Sequence, residues 1–236
     1  MVSDSNTANT GSAVFLQARL ASSRLPDKAL LELAGKPVVS HAMEALRQVE
    51  ATHHVLLTDA ASAPRLEPLA SAAGFATFAG DPTDVLARFV AALEVYPVGR
   101  VVRATGDNPL VSVPLARRAL TLQIAHAADY AGILGSPFGT GVEVLRAAAL
   151  RDLAGWSQVK RHREHVGPGL LEHPGRYRVV RVQAQAEFRQ PDLRVTLDTM
   201  DDYLYLAAVF EALYAGGPID TREVIQYART YHRRTA

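Results

Sequence analysis

Two periodicities alternate along the first half of the chain. Short apolar runs at 13–16, 54–58, 75–79 and 100–105 are bounded by turn residues, which predicts buried strands. Between the first two runs, Val38, Ala42, Leu46 and Val49 recur at helical spacing behind Pro37, a residue suited to a first helical position. Residues 60–73 read as a second helix carrying Pro64 and Pro68, closed by Gly74. A third helix over 85–96 places Leu86, Phe89, Val90 and Leu93 on one face. Strand and helix in this rhythm predict right-handed βαβ units, hence an α/β, Rossmann-like fold: a mainly parallel sheet flanked by helices.

Beyond Pro114 the rhythm loosens. The pattern predicts helices over 115–127 and 147–154 and strands over 129–133 and 142–145, with a turn-rich loop at 135–141. A helix over 158–166 is expected to end at Gly167-Pro-Gly169. Strands over 177–184 and 193–197 and helices over 200–214 and 222–231 complete the reading, with Val180, Val182 and Ala184 alternating as on a sheet covered on one face. No internal repeat or linker marks a second domain. Residues 1–12, polar and rich in Ser, Thr and Asn, read as a disordered tail ahead of one domain over 13–236.

Composition narrows the classes. Of 236 residues 48% are hydrophobic and 21% charged, with a net charge of +1 and both signs interspersed. Those proportions describe a globular chain and give no footprint for a nucleic-acid polymer or a membrane surface. There is no cysteine, which excludes disulfides, thiolate metal sites and cysteine nucleophiles. No apolar run approaches a membrane span, and the expectation is a cytoplasmic protein.

Candidate chemistry gathers at the predicted strand ends. After the first strand, Gln17-Ala-Arg-Leu-Ala-Ser-Ser-Arg-Leu-Pro-Asp-Lys28 presents Arg19, Arg24, Lys28, Ser22 and Ser23 in an irregular loop shaped by Pro26. Such a loop at the carboxyl rim of an open sheet suits a phosphorylated ligand, and it equally suits a solvated surface. It is not a Walker A loop, since no Gly-x-x-x-x-Gly-Lys-[Ser/Thr] occurs. Asp107 and Asp198 each follow a predicted strand, so both belong to the same rim. Two converging carboxylates suit Mg²⁺, which keeps waters and shares substrate phosphates. The alternative is capping of a turn or of the next helix, the role expected of Asp201 and Asp202.

The basic loop, followed by Leu33-Ala-Gly-Lys-Pro-Val38, resembles the opening of the sugar-acid cytidylyltransferases, which activate acylneuraminate and 3-deoxy-manno-octulosonate, and in particular their spore coat polysaccharide relatives. The resemblance implies a nucleotide-diphospho-sugar transferase (GT-A-like) fold and transfer of CMP from CTP to a small anionic acceptor, with pyrophosphate released. The acceptor is expected to be a sugar acid, phosphate or phosphonate. It implies Mg²⁺ on Asp107 and Asp198, with Arg19, Arg24 and Lys28 stabilising the triphosphate. Nucleotide contacts are implied at Ala18, Ser22, Ser23, Thr58, Asp59, Thr105 and Gly106. Gly80-Asp-Pro-Thr-Asp-Val-Leu-Ala-Arg-Phe89 resembles a family segment beside the nucleotide and adds Gly80, Asp84 and Arg88. Those last two residues also fit a capped helix with Arg88 exposed.

Arg163-Glu-His-Val166 is similar to a spore-coat segment, and Glu143, Arg163 and His165 are the expected acceptor contacts. CTP over UTP and a homodimer, with Trp156 and residues 154–166 at the contact, follow from the resemblance alone. Three residues depart from it: Asp27 and Gly167 stand where relatives carry Gly and Thr, and Gly141 where they carry Asp. The rival readings are a glycosyltransferase on the same sheet, which wants Asp-x-Asp where this chain has Asp107-Asn-Pro, and a nucleotide-binding protein without catalysis.

Overall fold

The computed structural model describes residues 11–22 and 24–235, with side chains as far as Thr230. The expected tail lies outside the described residues up to 10, while Ser12 already opens β1 (Ser12–Gln17). In chain order there follow a 3-10 turn (Lys28–Leu30), β2 (Glu32–Leu33), β3 (Lys36–Pro37), α1 (Val38–Leu46), β4 (His53–Asp59), α2 (Ala63–Ala72), β5 (Ala76–Gly80), α3 (Val85–Val95) and β6 (Arg100–Thr105). The second half holds α4 (Val113–Ala125), β7 (Tyr130–Leu134), β8 (Glu143–Arg146), α5 (Ala147–Trp156), α6 (Lys160–His165), α7 (Gly167–Leu171), β9 (Val179–Gln183), α8 (Met200–Leu213) and α9 (Thr221–Thr235).

Seven strands form one sheet in the order β5-β4-β1-β6-β8-β7-β9. β8 runs antiparallel to both neighbours, and the other pairings are parallel. Strand alternation sends Val14 and Leu16 to one face, packed with Met43, Leu46 and Ala116 of α1 and α4. Ala13, Phe15 and Val101 face the other way, against Leu86, Phe89 and Leu150 of α3 and α5. Burial on both faces is what continuous apolar runs require. A third core joins α8 and α9, through Leu206, Phe210 and Val224, to Leu25, Leu33 and Val38.

Two expectations fail for physical reasons. Residues 193–197 are not a sheet strand. They form an extended segment with a single bridge, Phe138 to Arg194, held by Phe138 N to Leu193 O and Val195 N to Phe138 O, each 2.8 Å. Leu193, Val195 and Leu197 bury beneath α8 and α9, so their apolar character serves that core instead of a sheet face. Gly167-Pro-Gly169 does not end helical structure but begins α7, with Pro168 in its first turn, where a missing N–H costs nothing. The break falls one residue earlier, at Val166, whose φ of 62° is unusual for a β-branched side chain. Among the described residues no helix is long and apolar enough to cross a membrane.

Candidate active site

The basic loop leaves β1 at the carboxyl rim and is tied down at several points. Ala18 N donates to Leu57 O at 3.0 Å, and Leu20 N to Ser62 Oγ at 3.0 Å. Asp59 accepts from both Ser62 N and Ser62 Oγ at 2.9 Å, so it orders the loop through Ser62. Burial pushes the Asp59 carboxyl up, but the Ser62 donors outweigh it and hold it below the usual range. Asp27 takes φ 55°, a left-handed conformation that Asp tolerates, and turns its carboxylate to Arg65 at 2.8 Å, away from Lys28. The departure from glycine therefore puts no acid beside the Lys28 ammonium.

Lys28 is where the loop meets the two aspartates. Its Nζ donates to Asp107 Oδ2 at 2.8 Å, Asp198 Oδ1 at 2.7 Å and Leu197 O at 2.7 Å. Asp107 is delivered by the end of β6, which lies tight on β1. Gly106 N donates to Gln17 O at 2.8 Å, and a Cβ at Gly106 would sit 2.7 Å from that of Ala18. Asp198 arrives on the extended segment, which Leu197 N fastens to Asp107 O at 2.9 Å. Asp202, in a capping box with Thr199, accepts from Asp198 N at 3.0 Å and so orients the aspartate without sharing its role. Burial raises the Asp198 carboxyl, but Lys28, Arg194 and Arg24 overcome this and hold it below the ordinary range.

Asp107 Oδ1 is buried without a hydrogen-bond partner. An orphaned carboxylate oxygen beside a second carboxylate fits a hard cation. No group of three or more His, Asp or Glu able to hold a metal occurs among the described residues. A cation held by this pair would therefore complete its shell with waters and phosphates and not within a closed protein cage.

These groups open into a cavity of about 410 Å³ over the carboxyl rim. Ala18, Arg19, Ser22, Arg24, Lys28, Arg88, Thr105, Gly106, Asp107, His165 and Asp198 all line it. Ser23 lies outside the described residues. Thr58 is wholly buried, and neither it nor Asp59 or Gly80 reaches the cavity wall. Asp84 caps α3 by accepting from Ala87 N at 2.8 Å. Arg88 is 2% exposed, not an outward face of α3, and donates to Asp81 O at 2.8 Å. Burial lowers its pKa, chiefly offset by Asp59.

The expected acceptor residues are redistributed. Arg163 pairs with Asp84 at 2.7 Å and donates to Ala154 O at 3.1 Å, so it clamps α6 to α3 and α5 and does not line the cavity. The phase of the short α6 puts Glu164 there, together with His165, which lines the cavity as expected. Glu143 accepts from Arg103 and, at 3.0 Å, from Tyr130 Oη, and is likewise absent from the wall. Gln17 and Arg103 line the cavity and were missed by the sequence reading. The signal for Arg103 was a charge in the interior of a strand, between Val102 and Ala104. Trp156 is 36% exposed and donates to Tyr177 Oη at 2.9 Å, with Arg176 stacked 5.3 Å from its ring.

Residues 13–220 match the sequence profile of the family described as Cytidylyltransferase. The chain is 31% identical over 218 residues to the spore coat polysaccharide biosynthesis protein SpsF of Bacillus subtilis (strain 168), across 89% of this chain and 91% of that protein. Among solved structures it is similar to a cytidylyltransferase from Leptospira borgpetersenii serovar Hardjo-bovis (strain JB197), with a TM-score of 0.83, 22% identity and coverage of 94% and 96%. It is also similar to a CMP:2-keto-3-deoxy-manno-octonic acid synthetase complexed with CTP, with a TM-score of 0.67, 19% identity and coverage of 86% and 99%. At these identities the two structures speak for the fold.

Proposed function

The chain belongs to the cytidylyltransferase family, and we propose that it transfers CMP from CTP to a small anionic acceptor, releasing pyrophosphate. The observation that carries this reading is the convergence of Lys28 with Asp107 and Asp198 at 2.7–2.8 Å on the wall of a cavity rimmed by Arg19 and Arg24. The CTP complex of the similar synthetase supports CTP as donor.

In this reading an anionic acceptor oxygen attacks the α-phosphorus in line, its new P–O bond forming as the bond to the bridging oxygen of pyrophosphate breaks. Asp107, through Oδ1, and Asp198 would hold Mg²⁺, which supplies charge neutralisation at the phosphates when bound. Arg19, Arg24 and Lys28 address the β- and γ-phosphates and stabilise the leaving pyrophosphate. Such a transfer needs positioning and electrostatics and no side-chain nucleophile. Ala18, Ser22, Thr105, Gly106 and Arg88, which share the cavity, are the proposed nucleotide contacts.

Pyrophosphate release with CTP and a panel of sugar acids, phosphates and phosphonates tests the reading. Acceptor-dependent release with a higher kcat/KM for CTP than for UTP is expected; nucleotide hydrolysis that ignores the acceptor refutes it. We also propose that the protein works as a homodimer through the surface around Trp156, which light scattering at micromolar concentration checks.

A further inference from the structure

Arg103 is an arginine placed in the middle of the sheet for which the nucleotide and the metal have no evident use. Strand alternation puts it on the same face of β6 as Val101, toward α3 and α5. At this level the sheet is not roofed by a helix. The cavity lies over it, walled by Val85 and Arg88 of α3 and by Glu164 and His165 of α6. A guanidinium on a sheet face costs free energy unless it is paired, and this one is paired with care.

The pairing is built from three elements. Glu143 of β8 stands directly opposite Arg103 in the antiparallel register and accepts from its Nη1. Gln17 of β1 accepts from Nε at 3.1 Å. The other Glu143 oxygen accepts from Tyr130 Oη at 3.0 Å. Room for that carboxylate comes from α7: a Cβ on Gly167 would lie 2.1 Å from Glu143 Oε1. A side chain at 167 would require the Glu143 carboxylate to shift from the position in which it holds Arg103 and Tyr130. Glu143 and Gln17 engage two of the five guanidinium N–H groups, and the side chain still lines the cavity.

Of the other cavity cations, Arg19 belongs with Arg24 and Lys28 to the loop proposed to hold the triphosphate. Lys28 and Arg24 face Asp198, and Arg88 donates to Asp81 O. Arg103 is the fixed cation on the cavity floor, and a planar fork of this kind matches a carboxylate or phosphate. We propose that Arg103 is the specificity-determining residue that receives the anionic group of the acceptor, and that Glu143 and Gly167 are positioning residues for it. The proposal rests on the transferase reading and moves the acceptor site from Arg163 to the sheet floor. His165, lining the same cavity, stands as the second donor.

The test is a binding experiment on the full chain with CMP bound, using gluconate, glucose 6-phosphate and neutral glucose as probes in calorimetry. At least one charged probe saturates the wild type while glucose does not; the carboxylate and phosphate arms tell which anion the site takes. Arg103→Gln weakens that probe about tenfold or more, and Gly167→Ala weakens it in the same direction, while CTP affinity changes less than about twofold. Should Arg103→Gln fail to fold because Glu143 is left unpaired, the double variant Arg103→Gln, Glu143→Gln removes both charges together and gives the same readout. Charged probes that bind no better than glucose, or equally to wild type and variants, overturn the proposal. Loss of CTP binding by the wild type itself would instead overturn the transferase reading, so the two failures are separable.

Discussion

Lys28→Met removes the ammonium that Asp107 and Asp198 share, and the consequences run in opposite directions for stability, metal and nucleotide. The ammonium makes three contacts of 2.7–2.8 Å, two of them to carboxylates. Lys28 is 14% exposed, Asp107 26% and Asp198 21%, so the pairs are screened only in part. Stripping one partner from a fully buried pair costs about 3–5 kcal/mol. Here Arg24 and Arg194 remain on Asp198, and water reaches both carboxylates, so a loss of about 2–3 kcal/mol is expected. For a divalent ion the same change is favourable. A unit charge about 4 Å from a divalent ion opposes it by several kcal/mol at an effective dielectric of about 20. The nucleotide-free variant should therefore bind Mn²⁺ about tenfold or more tightly than the wild type, although its CTP affinity falls. Electron paramagnetic resonance of free Mn²⁺, with urea denaturation in parallel, reads both effects. If Mn²⁺ affinity without nucleotide falls together with CTP affinity, Lys28 does not compete with a cation at these carboxylates and the proposed metal pair is wrong.

Other expectations follow from the same geometry. Asp107→Asn and Asp198→Asn should keep their melting temperatures within a few degrees and lose about a hundredfold or more in pyrophosphate release; near-normal rates at limiting Mg²⁺ would remove them from the metal site. Arg24→Ala should weaken CTP about tenfold and CMP much less in parallel titrations, because CMP lacks the phosphates this group addresses. His54 is buried, and burial, then the charge of Arg47, lowers its pKa; Arg47 donates to its Nδ1 at 2.9 Å. The unfolded chain then takes up a proton below about pH 6.5 that the folded chain refuses, so stability is full above that pH and declines as pH falls. His54→Gln should flatten the urea midpoint between pH 7 and pH 5, with the remaining slope due to His41, which burial also lowers.

The alternation of β1, α1, β4, α2, β5, α3 and β6 was legible because it is local, whereas the two-residue strands β2 and β3 were not foreseen. Whether Val14 or Leu86 repeats at two or at three to four residues depends on backbone geometry and burial within a few neighbours. Arg19, Arg24 and Lys28 could be read as a cationic loop, and Asp107 as a rim residue, for the same reason: each follows a run whose strand character is evident. Residues 193–197 misled because apolar content reports burial and not the partner that provides it; α8 and α9 bury that segment. Arg163 misled because a helix as short as α6 takes its phase from docking, which turned this residue to Asp84 and His165 to the cavity. The meetings of Lys28 with Asp198 and of Arg103 with Glu143 depend on strand order, on the antiparallel register of β8 and on the path of the chain after Leu193. Those are outcomes of packing the whole sheet at once, where contacts distant in sequence compete, and no local period encodes them.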